Sequence, residues 1–293
     1  MAKQKPEIKQ TTPPKAVVKQ PSKPGFFSAN PVRLYMLIIF LLGFGIYINT
    51  VRNEYNLDDE LVVQNQVPNS DIASGWQVVS PHRLTSKGWE AIKFNFDAFS
   101  ADSLNGAGFG KHLKYFLPEV FREPYYKDNA GYQYEFRPIV LFSFALEHAI
   151  FARTENQNGK EVEVENPHLS HFFNVVLYAL LCVLLFVVMR RLFPQYNPLF
   201  AFFIALLFTA HPIHTEVVAS IKNRDEIFAL GFGLLSVYSA LRYVQSSKLR
   251  WLLLVPVTFV LGILSKSTTI TFVLLVPLAV VLLTRLTSGR FCF

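Results

Sequence analysis

The run LSHFFNVVLYALLCVLLFVVM, from Leu169 to Met189, decides the class of fold. It is almost wholly apolar, and about 20 such residues are enough for a helix to cross the hydrocarbon core of a bilayer. Arg190 and Arg191 follow it directly. Further apolar runs lie at Leu34–Ile48, Pro198–Ile213, Ile227–Tyr243, Trp251–Leu264 and Thr268–Leu286. The sequence therefore predicts an all-α polytopic membrane protein with about six transmembrane helices and a large outer loop.

The overall composition agrees with this class of protein. Hydrophobic residues make up 51% of the chain, which contains 28 Phe and has a net charge of +7. The basic excess collects in the N-terminal tail and at the ends of apolar runs, so membrane orientation explains it better than nucleic-acid binding. The two cysteines, Cys182 and Cys292, form neither a disulfide framework nor a zinc motif.

Three regions follow from the distribution of these runs. Residues 1–30 are rich in Lys, Pro and Gln, which predicts a disordered, basic, cytoplasmic tail. Residues 31–286 form the transmembrane domain, and its outer loop, 52–168, is aromatic enough for juxtamembrane helices around Trp89–Phe99 and His112–Phe121. Residues 287–293 are a short tail. Because no cleavage site follows the first apolar run, we interpret it as an uncleaved first span.

Positive charge sets the predicted topology. Arg and Lys cluster at Arg190, Arg191, Arg242, Lys248, Arg250, Arg285 and Arg290. All of these lie on the cytoplasmic side, with the N-terminus, if there are six spans. The apolar segment Arg137–Phe151 is then a juxtamembrane helix on the outer side, since it extends only ~22 Å. The absence of an Asn-x-Ser/Thr sequon favours a bacterial inner membrane over the endoplasmic reticulum.

An acidic pair follows the first span on the outer face. Asp58 and Asp59 are adjacent and precede Glu60. Neighbouring carboxylates repel each other, so one of them takes up a proton more readily, as a general base requires. The alternative is a solvated turn in which the acids only provide solubility.

Basic residues also lie on the predicted outer face, where short loops normally lack them. They are Lys222, Arg224 and Lys266, and Arg137 lies on the same predicted face. An anionic ligand such as a lipid phosphate is one explanation. The alternative for Arg224 is internal pairing with Asp225 or Glu226.

The loop that contains Arg224 also carries a histidine motif. His211, His214 and Glu216 are suitable metal ligands by residue type. They are equally suited to be hydrogen-bonded structural residues at a helix end broken by Pro212.

These motifs together resemble a known family. They are the acidic pair, Tyr134-Glu-Phe-Arg137-Pro138, His171-Phe-Phe-Asn174, Phe208-Thr-Ala-His211-Pro-Ile-His214-Thr-Glu216 and Ile221-Lys-Asn-Arg-Asp-Glu226, in this order. Between about Tyr35 and Leu286 the chain resembles GT-C membrane glycosyltransferases of the protein O-mannosyltransferase type. It is most similar to the branch of transmembrane O-mannosyltransferases that target cadherins, with their bacterial relatives.

The resemblance implies transfer of a sugar, mannose or a similar hexose, from a polyprenyl-phosphate donor to a Ser or Thr hydroxyl of an acceptor protein. It implies Asp59 as the general base with Asp58 as its neighbour. Arg137, Arg224 and Lys266 would bind the donor phosphate, and His211, His214 and Glu216 would shape the sugar or acceptor site. The resemblance indicates no certain cofactor and leaves a divalent metal open. The partners are the donor lipid, the acceptor protein and the bilayer, with no nucleic acid.

The sequence departs from the family pattern at two points. Ser267 follows Lys266 where family members usually have an acid, and the chain has fewer spans than its relatives, as expected of a truncated copy. The alternatives to the enzyme are therefore an inactive relative, or a transporter or assembly scaffold.

Overall fold

The computed structural model describes residues 31–54, 126–127, 133–134, 136–151, 153–157, 160–164 and 167–287. The tails, the acidic pair Asp58–Asp59 and the two juxtamembrane helices expected in residues 89–99 and 112–121 lie outside these residues. Within the described residues, the transmembrane domain is helical apart from two short β-hairpins.

The helices follow the apolar runs in order. Helix α1 spans Pro31–Tyr47 and continues as a 3-10 segment, Ile48–Arg52. After the outer loop come α2 (Pro138–Phe151), α3 (Pro167–Leu192), α4 (Pro198–Thr209) and α5 (Thr215–Ala219). The remaining helices are α6 (Arg224–Ser246), α7 (Leu249–Ile263) and α8 (Phe272–Thr287), which a 3-10 segment, Ser267–Thr271, precedes.

The hairpins belong to the outer loop. Strands β1 (Tyr126–Lys127) and β2 (Gln133–Tyr134) pair antiparallel, as do β3 (Arg153–Gln157) and β4 (Lys160–Val164). The second hairpin connects α2 to α3 with Arg153 opposite Val164.

The structure confirms a multi-pass membrane protein, with differences in the individual spans. Within the described residues, four segments are long and apolar enough to cross a bilayer: Pro31–Arg52, Pro167–Leu192, Arg224–Ser246 and Ser267–Thr287. A bent pair of helices would make a fifth span. The predicted span Trp251–Leu264 corresponds to α7, whose 15 residues reach only ~22 Å.

The expectation of one continuous span over Pro198–Ile213 is wrong. The helix stops at Thr209, and a second helical piece, Pro212–Ala219, leaves it at an angle of 51°. Pro212 explains the break, because proline has no N–H to continue the helix and its ring clashes with the preceding turn.

Helix α3 is the centre of the bundle and contacts α1, α4 and α6. Its buried face includes Val175, Ala179, Cys182 and Phe186. A Cβ at Gly43 of α1 would lie 3.4 Å from the Ala179 Cα atom, so the two helices approach closely at small residues.

Candidate functional site

A stripe of polar residues runs along the first three turns of α3. Ser170, Asn174 and Tyr178 are buried at spacings of four, and His171 is buried three residues before Asn174, so all four lie on one face of the helix. Polar groups in this position are costly unless they are hydrogen-bonded. Each of them contacts a different part of the chain, and the stripe thereby gathers several segments at one end of the bundle.

Two contacts of the stripe are to backbone carbonyl groups at the ends of other elements. His171 Nε2 lies 3.3 Å from the carbonyl oxygen of Glu54, just after α1. The Tyr178 hydroxyl donates to the carbonyl oxygen of Thr209 at the end of α4, at 3.0 Å. We call this the outer end of the bundle, after the predicted topology.

Asn174 holds the turn that begins α6. Its Nδ2 donates to the carbonyl oxygen of Ser220 at 3.1 Å and lies 3.5 Å from that of Ile221. Its Oδ1 accepts a 2.7 Å hydrogen bond from Nε of Arg224. One buried amide therefore satisfies the backbone of the turn and orients the arginine that follows it.

Arg224 is enclosed by protein. Its side chain is 1% exposed and forms an ion pair with Glu147 of α2. The guanidinium also donates to the Ser143 hydroxyl at 3.3 Å and to the Ser170 carbonyl oxygen at 3.2 Å, and it lies over the Phe144 ring at 4.4 Å. Because an arginine has only five N–H groups, most of its hydrogen-bonding capacity is used inside the fold.

The neighbouring residue, Asp225, is the centre of a second set of charges. Its carboxylate is fully buried, and Oδ2 contacts both Arg137, in an ion pair, and Nζ of Lys266 at 3.2 Å. Lys266 also contacts Oε1 of the exposed Glu226 at 2.7 Å. Two cations from distant parts of the chain thus meet on one carboxylate.

The two ion pairs together fix helix α2. Arg137 precedes its first turn and pairs with Asp225, while Glu147 in its third turn pairs with Arg224. We call Arg137, Glu147, Arg224, Asp225 and Lys266 the outer cluster. Because its members come from α2, α6 and the α7–α8 connection, the cluster exists only in the folded chain.

The histidine motif lies on the bent piece after α4. Nδ1 of His211 accepts from the backbone N–H of Ile213 at 3.2 Å and caps the 3-10 segment Pro212–His214. The ring of His214 packs on Phe208 and Tyr178, with centroids 4.2 and 5.7 Å apart. Glu216 is exposed in the first turn of α5. These are contacts typical of structural histidines.

The metal alternative finds no support in this part of the chain. Among the described residues, no three His, Cys, Asp or Glu side chains come together in a way that could hold a metal ion. His211, His214 and Glu216 therefore remain predicted residues of a sugar or acceptor site.

The structure brings together some predicted site residues and separates others. Arg137 and Lys266 share Asp225, whereas Arg224 belongs to the adjacent set with Glu147. The proposed alternative pairing of Arg224 with Asp225 or Glu226 is wrong, because successive residues of a helix point in different directions.

Sequence reasoning missed the roles of three residues. Glu147 was visible as an acid in an apolar run, which is a functional or pairing signal by itself. Asn174 stood within a quoted motif, and Asp225 had been considered only as a partner of Arg224. Their partners lie 50 to 88 residues away in sequence, at Arg224 and Arg137.

Comparison with known proteins places these motifs in a family context. Residues 168–291 match the family model described as "Dolichyl-phosphate-mannose-protein mannosyltransferase". Protein O-mannosyl-transferase TMTC2 of Homo sapiens is 29% identical over 124 residues, and Protein O-mannosyl-transferase Tmtc1 of Drosophila melanogaster is 29% identical over 154 residues. Protein O-mannosyl-transferase TMTC1 of Mus musculus is 33% identical over 105 residues. No solved structure gives a significant match.

These matches are partial in both directions. They cover 40%, 53% and 36% of this chain, and 12%, 16% and 10% of the respective relatives. The resemblance to the GT-C protein O-mannosyltransferase family is confirmed, and the matched region includes the histidine motif, Arg224, Asp225 and Lys266.

Proposed function

We propose that this chain is a glycosyltransferase that moves mannose or a similar hexose from a polyprenyl-phosphate donor to a protein Ser or Thr hydroxyl. The family match supports the class of reaction. The single observation that carries the proposal is the meeting of Arg137 and Lys266 on Asp225 at the outer end.

Arg137 and Lys266 are the groups that we assign to the donor phosphate. A leaving phosphate needs cationic stabilisation, and preorganised charges supply it without reorganisation during the reaction. Asp225 fixes the positions of both cations. The side chain of Lys266 is 19% exposed and its second partner, Glu226, is 41% exposed, so the ammonium can exchange Glu226 for a phosphate oxygen.

Arg224, predicted earlier as a third phosphate ligand, is better suited to another task. Its burial and its bonds to Asn174, Glu147, Ser143 and the Ser170 carbonyl support a role in holding α2 and α3 against α6. We propose that it positions the start of α6, and with it Asp225.

Asp59 is the proposed general base, assisted by Asp58. The backbone carbonyl oxygen of Glu54 contacts the ring of His171. The residue before His171 is Ser170, and its carbonyl oxygen accepts a hydrogen bond from Arg224 of the outer cluster. Four residues of chain extend at most ~14 Å, so Asp58 follows within that distance of Glu54. This reach is compatible with an acidic pair beside the outer cluster.

The chemistry is a single displacement. Asp59 takes the proton of the acceptor hydroxyl, whose oxygen forms a bond to the anomeric carbon. The bond from that carbon to the phosphate oxygen breaks, and its electron pair leaves with the polyprenyl phosphate, next to Arg137 and Lys266. Attack opposite the leaving group inverts the anomeric configuration through an oxocarbenium-like transition state.

His211, His214 and Glu216 are the proposed sugar or acceptor residues. His211 and Glu216 are exposed at the outer end, and the aromatic packing of His214 fixes the loop that presents them. Stacked rings and exposed polar groups together offer a surface that a sugar or an acceptor peptide can contact.

The position of the charges argues against the transporter alternative. Transporters place ionisable groups near the bilayer midplane. Here Arg224 and Asp225 are the first two residues of α6, and Lys266 lies in the connection between α7 and α8. A site at the ends of the helices is suited to a lipid-borne donor and a water-soluble acceptor.

The cellular orientation is part of the proposal. We place the outer cluster on the non-cytoplasmic face of a bacterial inner membrane, with the N-terminus in the cytoplasm, because of the Lys and Arg distribution.

The test of the base is Asp59→Asn in a transfer assay with purified full chain, mannosyl-phosphoryl polyprenol and a Ser/Thr peptide. The variant keeps shape but cannot take the proton, so turnover should fall about 10²–10⁴-fold. Arg285→Lys, at the opposite end, is the matched control. Normal turnover in both Asp59→Asn and Asp58→Asn would reject the catalytic acidic pair, and no transfer by the unmodified chain would favour the inactive relative.

The test of the phosphate site is Arg137→Lys in the same assay. Lys keeps the charge next to Asp225 but loses the planar fork that binds a phosphate through two parallel hydrogen bonds. We expect KM for the donor to rise about tenfold, as for the loss of one charge-assisted hydrogen bond. An unchanged KM for the donor would assign Arg137 to structure alone.

A further inference from the structure

A second group of charged residues lies at the end of the bundle opposite the outer cluster. Here α3 and α6 end and α7 begins. The guanidinium of Arg191 lies over the Tyr238 ring at 4.8 Å, and those of Arg242 and Arg250 lie over the Trp251 ring at 5.0 and 5.3 Å. The two rings pack edge to face, 5.7 Å apart. We call these five residues the arginine–aromatic cluster.

The cluster gathers positive charge without nearby acids. In the described stretch 167–287 the carboxylates are Glu216, Asp225 and Glu226, all at the outer end. Nη1 of Arg191 donates to Oε1 of the neutral Gln245 amide at 2.9 Å. Aromatic faces attract cations, but they do not cancel the mutual repulsion of three guanidinium groups. An anion would stabilise this arrangement.

Three hydrogen-bond donors in the cluster are buried without an acceptor in the described part of the protein. They are Nε of Arg191, Nε of Arg242 and Nε1 of Trp251. Buried donors are nearly always satisfied in native proteins, because an unmade hydrogen bond costs free energy. Three of them around one edge-to-face pair of rings indicate an external acceptor with several oxygen atoms.

The position of the cluster identifies the source of that acceptor. Trp and Tyr at helix ends are typical of the membrane–water interface, and basic pockets between transmembrane helices there bind anionic headgroups. Leu249, Leu252 and Leu253 of α7, next to Trp251, are exposed and apolar. They provide a surface on which acyl chains can pack beneath a bound headgroup.

We propose that the arginine–aromatic cluster binds the phosphate group of an anionic phospholipid from the leaflet at this end of the bundle. The bound phosphate displaces the side chains of the cluster enough for its oxygens to accept from Nε of Arg191, Nε of Arg242 and Nε1 of Trp251, and Arg250 closes the site from the start of α7. Because α3, α6 and α7 all contribute, the bound lipid joins the ends of these three helices.

The experiment is quenching of Trp251 by lipids with brominated acyl chains in vesicles that contain the full chain. Trp76 and Trp89 are replaced by Phe so that Trp251 is the single reporter. Brominated phosphatidylglycerol should quench at a lower mole fraction than brominated phosphatidylcholine. Arg242→Gln should weaken this preference about tenfold, as for the loss of one hydrogen bond to a charged group.

Two controls make the result decisive. Arg285→Gln removes the same charge at the same end but outside the cluster, and it should leave the preference unchanged. The exposed Arg250→Gln serves as a second cluster variant if Arg242→Gln does not fold. Equal quenching by the two lipids, or an equal effect of Arg285→Gln, would overturn the proposal.

A comparison with inorganic phosphate distinguishes a lipid-binding site from a site for a soluble anion. Added to the purified chain in detergent, phosphatidylglycerol should raise the Tm, whereas phosphate at the same concentration should not. An equal rise with phosphate alone would show a site for a soluble anion and would overturn the lipid assignment.

Discussion

The two ends of the helical bundle handle charge in opposite ways. At the outer end, Arg137 and Lys266 meet Asp225, and Arg224 meets Glu147, in buried or half-buried ion pairs. At the other end, three arginines lie on Tyr238 and Trp251, and the carboxylates of the described stretch 167–287 all lie at the outer end.

The difference has a physical origin. A buried charge requires a compensating partner within the protein, since desolvation otherwise costs several kcal/mol, on the order of the whole folding free energy. A cation at the membrane surface can be compensated by water or by lipid phosphate instead. The charges of the outer cluster are therefore compensated mainly within the protein, whereas those of the arginine–aromatic cluster depend on its surroundings.

We expect the two ends of the bundle to face opposite sides of the membrane. In a chain with Cys182→Ala and Cys292→Ser, a single cysteine at Lys222 should react with an impermeant maleimide from the outside. One at Lys248 should react only after permeabilisation, because Lys and Arg are retained on the cytoplasmic side. Reaction at Lys248 in intact cells would invert the topology.

The largest energetic effect is expected at Arg224. Arg224→Met leaves Glu147 and Asn174 without their buried partner and should lower the free energy of unfolding in micelles by about 3–5 kcal/mol. The matched change at the other end is Arg190→Met at an exposed residue, for which we expect about 0.5 kcal/mol or less.

A second substitution distinguishes charge from shape. Adding Glu147→Met to Arg224→Met removes the uncompensated carboxylate and should recover part of the lost stability. A cost for Arg224→Met no greater than that of Arg190→Met would contradict the description of the outer cluster as a closed, buried network.

A smaller loss of unfolding free energy is expected at Asp225 and Glu226, two neighbouring acids of α6 that differ in burial. Asp225→Asn removes the shared carboxylate of Arg137 and Lys266 and should cost about 1.5–3 kcal/mol. Glu226→Gln, on an exposed side chain paired with Lys266, should cost less than about 1 kcal/mol. Equal unfolding free energies for the two variants would show that Asp225 is not the centre of the network.

Much of the architecture was predictable because apolar run length is a local property. The runs predicted α1, α3, α6 and α8 within a few residues. The exception was the break after Thr209. Pro212 and the flanking histidines gave a signal for it, but apolar composition continued across the break.

The candidate site was predictable only in part. The residue types and their placement at one end followed from motifs and charge distribution, so Arg137 and Lys266 were found. Their common partner was not, because Arg137 and Asp225 are 88 residues apart and no periodicity connects them. Likewise, the aromatic stacking of Arg191 and Arg242 followed from the packing of α3, α6 and α7.

The sequence by itself determined that this is a membrane protein, where most of its apolar helices lie along the chain, and which end of the bundle carries the acids. These properties depend on the transfer of each segment from water to lipid, which composition sets. Only the tertiary structure decided that Asp225 joins Arg137 to Lys266, and that Arg224 is enclosed by Glu147 and Asn174. The physical reason is that an ion pair depends on distance in space, and helix packing sets that distance.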